Sequence, residues 1–214
     1  MCFDHEQEVF MGLLETAHVG EPVDDFTLEA YDPDDCGFTE VSLKTQLENG
    51  RWTILFFYPA DFTFVCPTEL ADLAEKHKAL NELGCEIIAV STDTKYSHMA
   101  WRQNEKMIEN VKFKMASDAN GELSRYFDVW DAESGLALRG TFIINPEGIL
   151  VSSEINYYNV GRNADELKRK MDANIYLADA PAEVCPAKWT PGDKTLTPDD
   201  DMVGNVYEAL SNVD

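Results

Sequence analysis

Residues 56–70 read FFYPADFTFVCPTEL and join a predicted strand to a predicted helix. The apolar run at 52–58 is typical of a buried strand, and Pro59 ends it because proline has no N–H to donate to the next ladder bond. Pro67 fits the first position of a helix, and the residues after it follow a helical period. The stretch therefore predicts a strand, a loop and a helix, with Cys66 at the N-terminal cap or in the first turn.

A thiol at the position of Cys66 has the chemistry of a nucleophile. It meets unpaired backbone N–H groups and the positive end of the helix dipole, and both favour the thiolate. Thr63, three residues earlier, can offer its hydroxyl to the sulfur or to an oxygen bonded to it. The alternative is a buried core thiol, since cysteine is among the most buried residue types. The helix start, Thr63 and the two flanking prolines favour the nucleophile.

Two motifs carry a family resemblance. The pattern Pro59-x-x-x-Thr63-x-x-Cys66 resembles the active-site signature of typical two-cysteine peroxiredoxins of the alkyl hydroperoxide reductase C type. The tail segment EVCPAKW at residues 183–189, which contains Cys185, is similar to the resolving-cysteine motif of the same family. The two motifs are independent matches to one family. The resemblance covers roughly residues 22–200.

The resemblance implies a thiol-dependent peroxidase. Cys66 would attack the O–O bond of a hydroperoxide, release water or alcohol and become a sulfenic acid. Cys185 of a second subunit would condense with it to a disulfide, which thioredoxin or a flavoprotein disulfide reductase would reduce by thiol–disulfide exchange. The residues require no metal and no organic cofactor. The implied assembly is a homodimer, and further a ring of five dimers.

Three charged residues also enter through the resemblance. Arg139, in an Arg-x-Thr-Phe pattern, resembles the active-site arginine that stabilises the thiolate and the charge developing on peroxide. Glu69 is similar to the acid that orients this arginine, and Arg162 resembles a second arginine of the same network. Taken alone, Arg139 would be interpreted as a solvated surface charge and Glu69 as an acid favoured by the helix dipole.

Alternating strand and helix patterns predict an α/β fold. The antiparallel hairpin and the last helix that follow describe a thioredoxin-like sandwich. The resemblance implies the peroxiredoxin variant of this fold. We expect a peroxidase domain at residues 1–177 and an extended C-terminal tail at 178–214, which contains Cys185 and several prolines. The predicted elements after residue 70 are the rest of the Cys66 helix to 83, a strand at 86–91, a helix at 94–110, a strand at 113–117, a helix at 122–127, a hairpin at 138–151 and a helix at 163–177.

The remaining cysteines show no metal or dithiol spacing. No pair forms a C-x-x-C motif, which argues against zinc and against a thioredoxin-type dithiol. An odd number of cysteines argues against a structural disulfide framework. Cys36 lies in the Asp-, Pro- and Gly-rich stretch 31–38, a predicted surface loop, and Cys85 is predicted to fill the core. The five cysteines are Cys2, Cys36, Cys66, Cys85 and Cys185.

Charge and hydropathy limit the partners. The chain of 214 residues has 40 acidic and 17 basic residues and a net charge of −23. Nucleic acids and anionic membranes need basic patches, so both are disfavoured as partners. The first twenty residues lack the pattern of a signal peptide, and no run approaches the roughly 20 apolar residues of a membrane span. We therefore expect a soluble, cytoplasmic protein.

The residues leave two other functions open. The first is a holdase chaperone in which the peroxidase site is secondary. The second is a peroxide-sensing redox relay that passes its disulfide to a signalling protein. Consumption of peroxide with a reductase distinguishes the first from an enzyme, and trapped mixed disulfides would reveal the second.

Overall fold

The computed structural model describes residues 16–211 and has a seven-stranded mixed sheet at its centre. Two short strands form a separate hairpin beside it. In chain order the strands are β1 (Thr27–Asp32), β2 (Gly37–Ser42), β3 (Trp52–Phe57), β4 (Cys85–Ser91), β5 (Lys114–Ser117), β6 (Trp130–Asp131), β7 (Leu136–Ala137), β8 (Arg139–Ile144) and β9 (Leu150–Asn156). The order across the large sheet is β2-β1-β5-β4-β3-β8-β9, and β6 pairs with β7.

Helices cover both faces of this sheet, and their ends follow local signals. Gly84, with φ +80°, follows the long helix that begins at Cys66, and Asn163 caps the helix after β9 by accepting from the N–H groups of Asp165 and Glu166. Both signals were predicted. None of the helices within residues 16–211 is long and apolar enough to cross a membrane. The helices are α1 (Leu43–Glu48), α2 (Cys66–Glu82), α3 (Lys95–Asn104), α4 (Glu122–Tyr126), α5 (Ala164–Asp179) and α6 (Val206–Ser211).

Strand β3 lies at the centre and all six of its residues are buried. Its side chains alternate between two apolar cores, with Ile54 and Phe56 in one core and Leu55 and Phe57 in the other. It runs parallel to β4 and antiparallel to β8, with Phe56 opposite Thr141. This pairing brings the end of β3 and the start of β8 to the same edge of the sheet.

Two predicted elements differ from the structure. The stretch 31–38 was predicted as a surface loop, but β1 and β2 pair through it and Tyr31 is buried. Its Asp, Pro and Gly residues mark only the turn between the strands. The helix predicted to residue 110 ends at Asn104, because Glu105 is extended and its side chain accepts a hydrogen bond from Met107 N–H in a 3₁₀ turn.

The C-terminal segment, which the sequence predicts as an extended tail, docks on α5 through Trp189. Trp189 is only 3% exposed, and its ring lies 5.1 Å from that of Tyr176. Its Nε1 donates to Asp193 O at 3.0 Å, and Arg169 Nη1 donates to its carbonyl at 3.2 Å. One large aromatic residue therefore docks a segment that has little regular structure. The division into 1–177 and 178–214 stays a prediction, and residues 1–15 lie outside the described residues.

We predict that Trp189→Ala releases the tail while the sheet stays folded. Truncating a buried tryptophan costs about 3–5 kcal/mol, which raises the population of the open tail by about a hundredfold or more. Limited trypsin digestion read by mass spectrometry should then show faster cleavage after the exposed residues Lys188 and Lys194. Trp189→Phe keeps the ring contact and is the control. Equal cleavage of Trp189→Ala and the wild type would contradict the docking role.

Candidate active site

Cys66 is the first residue of α2 and is 1% exposed. The residue before it, Val65, makes no side-chain capping bond, and Pro67 occupies the first turn as predicted. The sulfur therefore lies at the positive end of a helix of 17 residues and is shielded from solvent. Burial alone would fit a core thiol, so the assignment depends on the groups that face the sulfur.

Arg139 faces the sulfur from the start of β8. Its Nη1 lies 3.4 Å from Cys66 Sγ and 2.5 Å from Glu69 Oε2. Its Nε donates to the carbonyl of Tyr158 at 2.8 Å. The Arg139 side chain is 4% exposed, which excludes the interpretation of a solvated surface charge.

Glu69 holds a second arginine as well. Arg162 donates to Glu69 Oε1 from Nε at 2.8 Å and from its backbone N–H at 3.0 Å. Its Nη1 donates to Gly140 O, and its guanidinium carbon lies 3.4 Å from the centre of the Phe56 ring. Burial lowers the pKa of Arg162 from its ordinary value, and the hydrogen bond that Arg162 donates to Glu69 opposes this shift. The structure thus brings together all three charged residues that the sequence singled out.

The charges around the sulfur do not balance without it. One carboxylate, Glu69, lies between two guanidinium groups, and all three side chains are buried. In a region of low dielectric the excess positive charge is attractive to a nearby anion. Cys66 Sγ is the sulfur in contact with this cluster, so negative charge that develops on an oxygen bound to the sulfur would meet a cationic donor.

Thr63 and Pro59 shape the loop before Cys66. Pro59 follows the end of β3, as predicted. The hydroxyl of Thr63 donates to Ala60 O at 2.8 Å, and this is the bond recorded for it within residues 16–211. The predicted bond from Thr63 to the sulfur is therefore not made in this structure, because the single hydroxyl proton closes the loop turn instead.

A buried polar cluster beneath this loop was missed by sequence reasoning. Tyr58 donates to Asp61 Oδ1 at 2.8 Å, and His98 Nδ1 lies 2.9 Å from Asp61 Oδ2. The backbone N–H of Asp61 donates to Asp93 Oδ2 at 2.8 Å. Burial, and then the charge of Asp61, raise the pKa of Tyr58 well above its ordinary value, which keeps it a donor. No spacing in the sequence links His98 to the loop.

The other cysteines differ clearly from Cys66. Burial raises the pKa of Cys85 to about 12, which fits its predicted role in the core. Cys36 is exposed in the β1–β2 turn, and Cys185 is half-buried in the tail, where burial and the charge of Glu183 raise its pKa. The four described cysteines are free, and Cys2 lies outside the described residues. Within residues 16–211, no group of three or more His, Cys, Asp or Glu side chains could hold a metal ion.

Comparison with known proteins identifies the family of the chain. Residues 19–153 match the AhpC/TSA family, and residues 177–209 match the C-terminal domain of 1-Cys peroxiredoxin. The chain belongs to the AhpC/TSA family. Alkyl hydroperoxide reductase C of Escherichia coli strain K12 is 46% identical over 169 residues, which are 79% of this chain and 89% of the relative. That of Staphylococcus epidermidis is 46% identical over 181 residues, or 85% of this chain and 95% of the relative.

Solved structures extend the comparison to the fold. Enterococcus faecalis AhpC has a TM-score of 0.75 and 45% identity, covering 80% of this chain and 100% of its own. Reduced Plasmodium vivax 2-Cys peroxiredoxin has a TM-score of 0.82 and 33% identity, covering 89% of this chain and 99% of its own. The predicted thioredoxin-like fold is thereby confirmed. The protein is a peroxiredoxin, a thiol-dependent peroxidase.

We predict that Glu69→Gln destabilises the fold and the site together. The change leaves two buried guanidinium groups without their shared carboxylate, and breaking a buried ion pair costs about 3–5 kcal/mol. Urea unfolding should show a loss of that size. Glu75→Gln, an exposed acid on the same helix, is the matched control and should change stability by less than about 0.5 kcal/mol. Equal stability of the two variants would show that the cluster does not support the fold.

Proposed function

We propose that Cys66 is the peroxidatic thiol of this enzyme and that Cys185 of a partner subunit resolves its oxidised form. The observation that carries the first part is the contact of Arg139 Nη1 with Cys66 Sγ at 3.4 Å, beside the carboxylate of Glu69. The second part is supported by the tail motif around Cys185 and by the family match over residues 177–209. Hydrogen peroxide and alkyl hydroperoxides are the proposed substrates, and the names of the curated relatives support the alkyl hydroperoxides.

The first step is substitution at peroxide oxygen. The Cys66 thiolate attacks the terminal oxygen, an S–O bond forms as the O–O bond breaks, and the leaving oxygen takes a proton and departs as water or alcohol. Negative charge moves from sulfur onto both oxygens. Arg139 supplies a buried, charged donor at this position, and Glu69 and Arg162 hold it there. The protein needs no metal for this step.

The second step requires movement. Cys66 is buried at the start of α2, and Cys185 lies in a tail docked on α5 by Trp189. For the two sulfurs to meet, the first turn of α2 has to unwind and the tail has to leave α5. The Cys185 thiol then attacks the sulfenic sulfur, a disulfide forms and water leaves. Thioredoxin or a flavoprotein disulfide reductase is the proposed reductant.

The sheet supports a dimer. Strand β9 is seven residues long and lies at one end of the sheet, so within residues 16–211 no strand pairs with its outer edge. Such an edge is ready to pair with a second copy. Exposed aromatic residues offer a surface for assembling dimers into a ring of five. Among them are Phe38 and Tyr96, whose ring centres lie 5.1 Å apart. A cytoplasmic location, where thiols stay reduced, also remains a prediction.

The comparisons do not favour the two other functions. The curated relatives are named as reductases of alkyl hydroperoxides, and the solved neighbours include 2-Cys peroxiredoxins. The buried charges at Cys66 supply chemistry for peroxide, which a holdase chaperone does not need. The peroxidase accounts for the geometry of Cys66, Arg139 and Glu69.

We predict that Cys66→Ser abolishes peroxide reduction, because an alcohol oxygen cannot pass through a sulfenic acid. Peroxide consumption coupled to thioredoxin, or to a flavoprotein reductase, measures this loss. Cys36→Ser and Cys85→Ala are the controls and should retain turnover, since Cys36 is exposed in a turn and Cys85 only fills the core. Turnover that survives in Cys66→Ser would place the active site elsewhere.

We also predict that peroxide treatment produces a disulfide-linked dimer on a non-reducing gel. The dimer should be lost in Cys66→Ser and in Cys185→Ser, because each variant removes one of the two sulfurs. If the oxidised protein instead runs as a monomer and mass spectrometry finds a bond between Cys66 and Cys185, resolution occurs within one chain. The proposal of a partner subunit would then be wrong, while the peroxidatic role of Cys66 would stand.

A further inference from the structure

Tyr158 contacts the active-site arginine with its backbone and a surface hairpin with its side chain. Its carbonyl accepts the 2.8 Å hydrogen bond from Arg139 Nε. Its hydroxyl donates to Asp131 Oδ2 at 2.7 Å and lies 2.8 Å from Ser134 Oγ. Ser134 Oγ donates to the same carboxylate oxygen at 2.7 Å. One residue therefore connects Arg139 to the β6–β7 hairpin.

The hairpin is a firm support for this connection. Trp130 packs so closely on Gly121 that a Cβ there would lie 2.4 Å from the indole ring. The guanidinium of Arg125 lies over the same ring, 4.1 Å from its centre. Gly135 N–H donates to Asp131 O at 2.8 Å and closes the turn. The hydrogen bonds from Ser134 and then Tyr158 lower the pKa of Asp131, so its carboxylate is charged at neutral pH.

The segment that contains Tyr158 has few other attachments. It begins after Asn156, which pairs with Arg139 at the end of the β8–β9 ladder, and it leads to Arg162. Among the described residues, the backbone hydrogen bond recorded within it runs from Val160 N–H to Tyr157 O and is 3.3 Å long. The position of the Tyr158 carbonyl therefore depends strongly on the hydroxyl at the other end of the same residue.

We propose that Tyr158 is a positioning residue for the peroxidase reaction: its hydroxyl bond to Asp131 fixes its carbonyl, and the carbonyl holds the guanidinium of Arg139 against the Cys66 sulfur. The proposal rests on the proposed role of Cys66. Sequence reasoning gave Tyr158 no role, since neither its neighbours nor its spacing from Cys66 marks it.

The geometry explains why one anchor matters. A guanidinium is planar, so hydrogen bonds at Nε and Nη1 together define its orientation. Nη1 is shared between Glu69 at 2.5 Å and Cys66 at 3.4 Å. If the Tyr158 carbonyl shifts, Arg139 keeps its shorter bond to the charged Glu69 and moves away from the sulfur. The thiolate then loses part of its electrostatic support.

Tyr158→Phe tests this, because it removes the hydroxyl and keeps the ring and the backbone. The first readout is the pH midpoint of Cys66 alkylation by iodoacetamide, followed by mass spectrometry of the Cys66 peptide. We expect the midpoint to rise. The second readout is the rate of reaction with hydrogen peroxide, which should fall about threefold to tenfold, the scale of one lost hydrogen bond. Thermal unfolding of the variant should remain close to that of the wild type.

Tyr157→Phe is the matched control. Tyr157 is the preceding residue, is 68% exposed, and its hydroxyl makes no hydrogen bond recorded within residues 16–211. Both readouts should stay at the wild-type values. Asp131→Asn should shift both in the same direction as Tyr158→Phe but less, because a bond to a neutral acceptor is weaker than one to a carboxylate. The Asp131→Asn variant also tests the proposal if Tyr158→Phe does not fold.

The double variant Tyr158→Phe/Asp131→Asn should be no worse than Tyr158→Phe alone, since both changes break one connection. Two results overturn the proposal. One is an alkylation midpoint in Tyr158→Phe equal to that of Tyr157→Phe, even if turnover falls. The other is full additivity of the two changes. Alkylation needs no peroxide, so it reports on Tyr158 even if Cys66→Ser were to retain turnover and the peroxidatic role were to fail.

Discussion

The carboxylate of Glu69 between two arginines is the interaction on which the active site depends. Glu69 comes from α2, Arg139 from the start of β8, and Arg162 from the segment after β9. Three parts of the chain thus meet at one buried charge. Because two cations share one anion where water is largely excluded, the cluster attracts further negative charge, and the sulfur of Cys66 lies beside it. Ionic strength should affect this attraction little, since buried pairs are poorly screened.

The sheet determines where these groups meet. Strand β3 ends at Phe57 and leads through the loop at Pro59 to Cys66, while β8 runs antiparallel to β3 and begins with Arg139. Because β3 and β8 run in opposite directions, the end of β3 and the start of β8 lie at the same edge of the sheet. The loop between β3 and α2 is supported from below by the buried contact of Asp61 with His98. A site of a few atoms is therefore positioned by the rigid centre of the molecule.

Features encoded by neighbouring residues could be predicted from the sequence, and features made by distant ones could not. Pro59, Gly84 and Asn163 mark the ends of elements through their own chemistry, and the structure agrees at each. The cluster around Glu69 joins residues up to 93 positions apart, so it was reached only through family resemblance.

In the loop before Cys66, the sequence allowed more than one hydrogen bond for the same side chain. Thr63 can bond to the sulfur or to the carbonyl three residues back, and composition does not choose between them. The tail around Trp189 lacks periodicity, yet one buried aromatic side chain is enough to dock it.

The distance along the chain between Cys66 and Arg139, 73 residues, has a consequence for biosynthesis. At about 5–20 residues per second, a ribosome adds those residues in about 4 to 15 s, and during this time the new chain has its thiol without its arginines. An unfinished or misfolded copy is therefore a poor target for peroxide, and the protein becomes reactive only when its fold is complete.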